Sequence, residues 1–136
     1  MSADLLDALW TSPTVYRSDL FTGKIALVCG GGSGIGRATA LLFARLGATV
    51  IITGRTQDKL DTVVAFARSK GAAMHGFAAQ LREHEQVLAL YERIENEVGV
   101  PDMLVNSAGG QFPQNAIDFA PKGWNAVINN NLNSTW

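Results

Sequence analysis

The residues best placed to do chemistry are glycines. Cys29–Arg37 reads CGGGSGIGR and falls between a short apolar run, Lys24–Val28 (KIALV), and a segment with helical spacing of apolar residues. Backbone without Cβ lets a diphosphate approach closely, and a helix start behind it offers unpaired N–H groups and the positive end of the helix dipole. Spacing decides which phosphate motif is present. The G-x-G-x-x-G fingerprint fails, because its third position falls on Ile35 when counted from Gly30 and on Arg37 when counted from Gly32. A nucleoside-triphosphate loop fails too: Gly31 and Gly36 have the right separation, but Arg37 and Ala38 stand where Lys and Ser/Thr are required. G-x-x-x-G-x-G fits, at Gly30, Gly34 and Gly36. This disfavours an ATPase.

Other chemistries are poorly supplied. The single cysteine, Cys29, rules out a disulfide framework and an all-cysteine metal site. It reads as a small buried residue, although a thiol beside a helix start can be activated. His75 and His84 have no Cys or paired-carboxylate framework around them for a metal and read as surface residues. There is no Gly-x-Ser-x-Gly elbow. With a net charge of −1 and no Lys/Arg cluster along the sequence, nucleic acid is an unsuitable partner. No apolar run approaches the ~18 residues of a membrane span, and the acidic N-terminus lacks the basic start of a secretory signal. These features lead to an expectation of a cytoplasmic protein with a small-molecule substrate.

The elements that must hold the glycine loop follow from periodicity. The 136 residues are 47% hydrophobic and 17% charged, enough for a sizeable core. Residues 1–22 read as an irregular lead-in, and residues 23–136 as an α/β unit. Strands are expected at Lys24–Val28, Thr49–Thr53, Ala73–Ala78 and Met103–Val105. Helices are expected at Gly34–Leu46, Gln57–Ser69 and Glu83–Val98, each with an apolar stripe. A last helix starts near Pro121 or Lys122 and is still running at Trp136; Asn129, Asn130 and Asn131 are poor helix formers and predict a local distortion there. Strand–helix alternation with short joins gives a doubly wound parallel sheet, a Rossmann fold, binding its ligand at the strand carboxyl ends. The sequence stops inside the last helix with neither Gly nor a basic cap, so the fold is expected to be truncated after the fourth strand and part of the next helix.

The loop Cys29-Gly30…Gly34-Ile35-Gly36 resembles that of the classical short-chain dehydrogenase/reductase family, T-G-x-x-x-G-I-G, with Cys29 in place of Thr. Asn106-Ser107-Ala108-Gly109 resembles the family's N-N-A-G, with Ser107 replacing the second Asn, and Trp124–Trp136 (WNAVINNNLNSTW) resembles the helix that follows. The resemblance covers about residues 20–136. Within the family, AGGQFPQNAIDFAPKGWNAVINNNL looks like the peroxisomal trans-2-enoyl-CoA reductase branch. Bacterial enzymes of terpenoid alcohols share the segment, and 2,4-dienoyl-CoA reductases share it more loosely.

The resemblance implies a nicotinamide cofactor held by Gly30, Ser33, Gly34, Ile35, Gly36, Gln80, Leu81, Asn106, Ala108 and Gly109. Gln80 stands where the family's polar residue meets adenine. Gln111 and Phe112 would lie at the substrate mouth, although Phe112 serves equally well as a core cap. Asn131 corresponds to the asparagine of the family's Asn-Ser-Tyr-Lys set, which holds a water on its backbone carbonyl. In dinucleotide folds an acid after the second strand bonds the ribose 2′-OH, whereas an Arg accommodates a 2′-phosphate. Gly54 occupies the acid's slot here and Arg55 follows it, which predicts NADP(H).

The resemblance further implies an oxidoreductase that reduces a 2-enoyl-CoA, or alternatively an alcohol/carbonyl dehydrogenase, and a homo-oligomer. A non-catalytic NADP-binding module is the rival from a different class, and a peroxisomal location is the alternative compartment. The family's Tyr-x-x-x-Lys has no match: Tyr16 is followed by Leu20 and Tyr91 by Glu95. Tyr91 lies on an apolar stripe and reads as packing. The chain by itself is therefore expected to be inactive.

Overall fold

Short β-branched runs separated by glycine turns build a parallel sheet in the computed structural model, which describes residues 3–136. The strands are β1 (Ile25–Cys29), β2 (Thr49–Gly54), β3 (Met74–Ala78) and β4 (Met103–Asn106). The helices are α1 (Ala3–Thr11), α2 (Gly34–Arg45), α3 (Gln57–Ser69), α4 (His84–Glu97) and α5 (Pro121–Ile128). A π-helical turn, Asn129–Asn133, continues α5. The sheet order is β3-β2-β1-β4, every pair parallel, with Ala26 beside Val50 on one side and Met103 on the other. The chain thus starts in the middle, winds outward through β2 and β3, and returns across β1 to β4. That return opens a crevice at the carboxyl ends of β1 and β4.

Alternating side chains divide the core into two layers. Ala26, Val28, Val50, Ile52 and Met74 face α2 and α3, where Ala40, Leu41, Leu60 and Val63 close over them. Leu27, Cys29, Ile51 and Phe77 face the opposite side and meet Leu90 and Ile94 of α4. A sheet buried on both faces needs uninterrupted apolar strands, as IALVC and TVIIT are. At the amino end, Asp102 accepts hydrogen bonds from Lys24 Nζ at 2.8 Å and from the Ile25 N–H at 2.9 Å, which fixes how β4 enters beside β1. These two donors hold the Asp102 carboxyl below the usual carboxylate range.

The lead-in is not irregular throughout: Ala3–Thr11 is a helix. Leu6 is buried in the α2–α3 layer, Trp10 meets Phe66 edge-on at 6.0 Å, and Lys70 pairs with Asp7 at 2.7 Å. Arg45 of α2 donates to the Leu9 carbonyl at 3.2 Å and to the Ser12 carbonyl at 2.8 Å, covering the helix end. The last helix differs in a second respect. Regular α-helix ends at Ile128, and the three asparagines sit in the wider π turn, the distortion that their propensities predict.

Candidate functional site

An open crevice of about 460 Å³ lies over the carboxyl ends of β1, β2 and β4. Its floor is the glycine loop, and the loop's shape follows from close approach. Gly30 turns with φ +81°, and its N–H donates to the Thr53 carbonyl at 2.8 Å, tying loop to β2. A Cβ on Gly30 would come within 2.8 Å of the Ser107 and Ala108 backbone. A Cβ on Gly36 would overlap the Gly30 carbonyl and lie 3.2 Å from Ser107 Cβ. The loop, the start of α2 and the end of β4 therefore touch backbone to backbone, as only glycine permits.

Ser33 precedes α2 in an extended conformation, and its side chain makes no capping bond. The first-turn N–H groups of α2 thus have neither an intrahelical acceptor nor a serine cap, and they face the crevice floor with Gly34 and Ile35. Ile35 is 80% exposed.

Nine of the residues predicted for the cofactor line this crevice: Gly30, Ser33, Gly34, Ile35, Arg55, Gln80, Leu81, Ala108 and Gly109. Gly36 and Asn106 do not; Gly36 is buried behind the loop, and Asn106 ends β4 in register with Cys29. Gln111 and Phe112 lie on the following loop, also outside the lining. Phe112 stacks on Phe119 at 5.4 Å, the packing role that the sequence left open. Lys59, Arg82, Ser107, Asn130 and Ser134 line the crevice without having been singled out as ligands. Lys59 was legible in principle, since it lies four residues beyond Arg55 at the start of a predicted helix.

The Asn131 side chain is tied to the loop leaving β4 and to its own helix. Its Oδ1 accepts from the Gly110 N–H at 3.0 Å, while its Nδ2 donates to the Gly110 carbonyl at 3.0 Å and to the Val127 carbonyl at 2.8 Å. Asn130 Nδ2 adds a bond to the Gly110 carbonyl at 3.2 Å. The π turn thereby clamps the loop that leaves β4 and holds Gly109 at the crevice wall. The Asn131 carbonyl accepts the Thr135 hydroxyl at 2.9 Å.

Cys29 is 6% exposed, and burial raises its thiol to about 11, so at neutral pH it is a protonated packing residue. Thr53 is fully buried and donates to the Phe77 carbonyl at 2.7 Å. No cluster of three metal-ligating side chains occurs among the described residues.

The crevice suits an elongated anion: a floor of uncapped amides, small residues along the wall, and Arg55, Lys59 and Arg82 at the rim with no Asp or Glu in the lining. No helix among the described residues is long and apolar enough to cross a membrane.

Comparison with known proteins agrees with this architecture. The family model described as short chain dehydrogenase matches residues 24–136. The peroxisomal 2,4-dienoyl-CoA reductase of Arabidopsis thaliana is 35% identical over 113 residues, 83% of this chain and 38% of the relative. The 3-oxoacyl-[acyl-carrier-protein] reductase of Thermotoga maritima is 36% identical over 81% of this chain and 45% of its own length. Among solved structures, the citronellol catabolism dehydrogenase of Pseudomonas aeruginosa PAO1 superposes with a TM-score of 0.85 at 37% identity, covering 90% of this chain and 50% of that one. The gluconate 5-dehydrogenase of Burkholderia cenocepacia J2315, solved with NADP and tartrate, gives 0.79 at 35% identity over 88% of this chain and 48% of that one. The chain spans half or less of the length of these relatives. The loop spacing, the parallel sheet in 3-2-1-4 order and these matches together make the chain a member of the short-chain dehydrogenase family, an oxidoreductase family that uses a nicotinamide cofactor.

Proposed function

We propose that this chain is the nucleotide-holding part of an NADP(H)-dependent reductase acting on a 2-enoyl-CoA. One observation carries the cofactor reading: the carboxyl end of β2 presents Gly54 and Arg55 to a crevice with no carboxylate in its lining. An adenosine ribose with a free 2′-OH gains from a carboxylate, and a 2′-phosphate gains from a guanidinium. The NADP in the gluconate 5-dehydrogenase structure supports the same choice.

In this reading the uncapped first-turn amides of α2 bind the diphosphate, with Gly30, Ser33, Gly34 and Ile35 shaping the floor and Gly36 letting α2 reach it. Gln80 and Leu81 receive adenine. Ala108 and Gly109 leave room for the nicotinamide ribose, and the Asn131 clamp on Gly110 fixes that wall. Asn106 closes the end of β4. When bound, the nicotinamide supplies or accepts hydride. Proton transfer requires side chains that this chain does not contain, since it has no Tyr-x-x-x-Lys, so the 136 residues alone bind nucleotide without turnover.

Two C. elegans relatives named as probable 2,4-dienoyl-CoA reductases, 34% and 39% identical, join the Arabidopsis relative in favouring an acyl-CoA substrate. In this reading Gln111 and Phe112, on the loop leaving β4, would border it. The citronellol catabolism dehydrogenase favours the second reading, an alcohol/carbonyl pair. Assaying the complete protein with NADPH against a 2-enoyl-CoA, a 2,4-dienoyl-CoA and a terpenoid aldehyde separates the two. Turnover of the aldehyde alone would reject the acyl-CoA assignment.

A further inference from the structure

We infer that Lys59 is a second ligand for the phosphomonoester on the adenosine ribose, closing on it from α3 while Arg55 closes from the end of β2. This rests on the NADP(H) reading above and names a further residue of that site.

The observation is a pattern of unpaired charge. Basic side chains elsewhere are mostly engaged: Arg17 with Asp19, Lys24 with Asp102, Lys70 with Asp7 and Arg93 with Glu97. The side chains of Arg55, Lys59 and Arg82 have no ion-pair or hydrogen-bond partner among the described residues, and all three residues line the crevice, where no Asp or Glu does. Lys122 is also without such a partner but does not line it. Three uncompensated cations around one opening concentrate positive potential there.

Placement singles out Lys59. It lies in the first turn of α3, four residues beyond Arg55, and its Cβ is 3.5 Å from where a side chain on Gly32 would begin. Its stem therefore starts directly above the glycine loop. Leu60 Cδ2 lies 3.3 Å from the same point, so Gly32 is the gap that lets α3 descend onto the loop. Leu60 is 1% exposed and anchors this turn in the core, whereas Lys59 is exposed and lines the opening. Gln57, also in this turn, donates to Asp61 Oδ1 at 2.7 Å and accepts the Ala78 N–H at 3.0 Å, fixing the helix start against β3. Lys59 is thus carried on a rigid element, whereas Arg55 is on the connecting loop. A dianionic phosphomonoester between the two meets one planar fork and one point charge. A ribose diol gains nothing from either.

The test is equilibrium titration of the full protein with NADPH, NADH, 2′,5′-ADP and 5′-AMP, comparing wild type, Lys59→Gln, Lys59→Arg and Arg55→Gln. Lys59→Gln is expected to weaken NADPH and 2′,5′-ADP by about tenfold, as for loss of one charge-assisted contact. NADH and 5′-AMP should stay within about twofold of wild type, as for loss of a contact they do not make. Lys59→Arg should restore most of the loss. Unchanged 2′,5′-ADP binding in Lys59→Gln, with weakened binding in Arg55→Gln, would overturn the role of Lys59 and leave the NADP(H) reading standing. Equal loss for all four ligands would also overturn it, since Lys59 would then serve the diphosphate or the fold. Wild-type affinities for NADPH and NADH that do not differ would remove the cofactor reading itself. Thermal melting of each variant, read alongside, reports folding; in wild type, 2′,5′-ADP affinity should fall more steeply with salt than 5′-AMP affinity.

Discussion

Single atoms decide the crevice floor. Gly36 has no room for a methyl, because the Gly30 carbonyl and Ser107 Cβ occupy it. Gly36→Ala is expected to cost about 1–3 kcal/mol of stability through overpacking. It should also weaken dinucleotide binding more than tenfold, an order-of-magnitude expectation for lifting α2 off the loop. Chemical denaturation and nucleotide titration of the same variant check both effects. Asn131 calls for a different argument, because its clamp is polar. Asn131→Asp keeps the acceptor for the Gly110 N–H but loses both donations, to the Gly110 and Val127 carbonyls. At about 0.5–1.5 kcal/mol per bond, the variant should melt a few degrees lower. If the clamp positions the nicotinamide wall, it should also raise KM for the nucleotide, whereas a purely structural role would leave that KM alone.

Cys29 gives a pH prediction with a definite sign. Its thiol is raised from 9.0 to about 11 in the fold, so between those values the unfolded chain has lost a proton that the folded chain keeps. Stability then falls as pH rises from 9 towards 11, and the thiol resists alkylation at pH 8 until the protein unfolds. Rapid iodoacetamide labelling of the native protein would contradict this burial.

The elements show what was legible and why. β1 and β2 are five- and six-residue apolar runs, and a sheet covered on both faces requires such runs, so they could be read directly. The span of α3, Gln57–Ser69, coincides with its apolar stripe. The π turn at Asn129–Asn133 was foreseeable as a distortion, because three asparagines in a row are poor helix formers. That Asn131 would clamp Gly110 was not, since the contact spans 21 residues. Lys59 and Arg82 escaped notice for a related reason: each looks like an exposed helix-start charge until the fold turns it toward the same opening. α1 was missed because nine residues rarely form a stable helix alone. Its signal was the Leu6, Leu9, Trp10 stripe ahead of Pro13, and its stability comes from tertiary contacts. Leu6→Ala should therefore destabilise the protein by about 2–4 kcal/mol while leaving nucleotide affinity unchanged, as denaturant melts and titration will show.

At the scale of the whole molecule, the sheet is asymmetric. β1 and β2 are enclosed, while β4 pairs only with β1 and leaves Leu104 51% exposed; Trp124 and Leu132 of the last helical segment are exposed as well. An open strand edge beside exposed apolar side chains favours association. The 136-residue chain is expected to elute from a sizing column at a mass that grows with concentration; a sharp thermal transition with monomeric elution at every concentration would argue against it. The crevice is at the other scale extreme: its lining carries Arg55, Lys59 and Arg82 and no Asp or Glu. The most direct measurement is a paired titration of the protein with NADPH and NADH at one salt concentration. Binding of NADPH at least about tenfold tighter than NADH is the predicted result, the size of effect expected from one well-placed charged contact. Equal affinity for the two, or affinity for neither, would contradict the account.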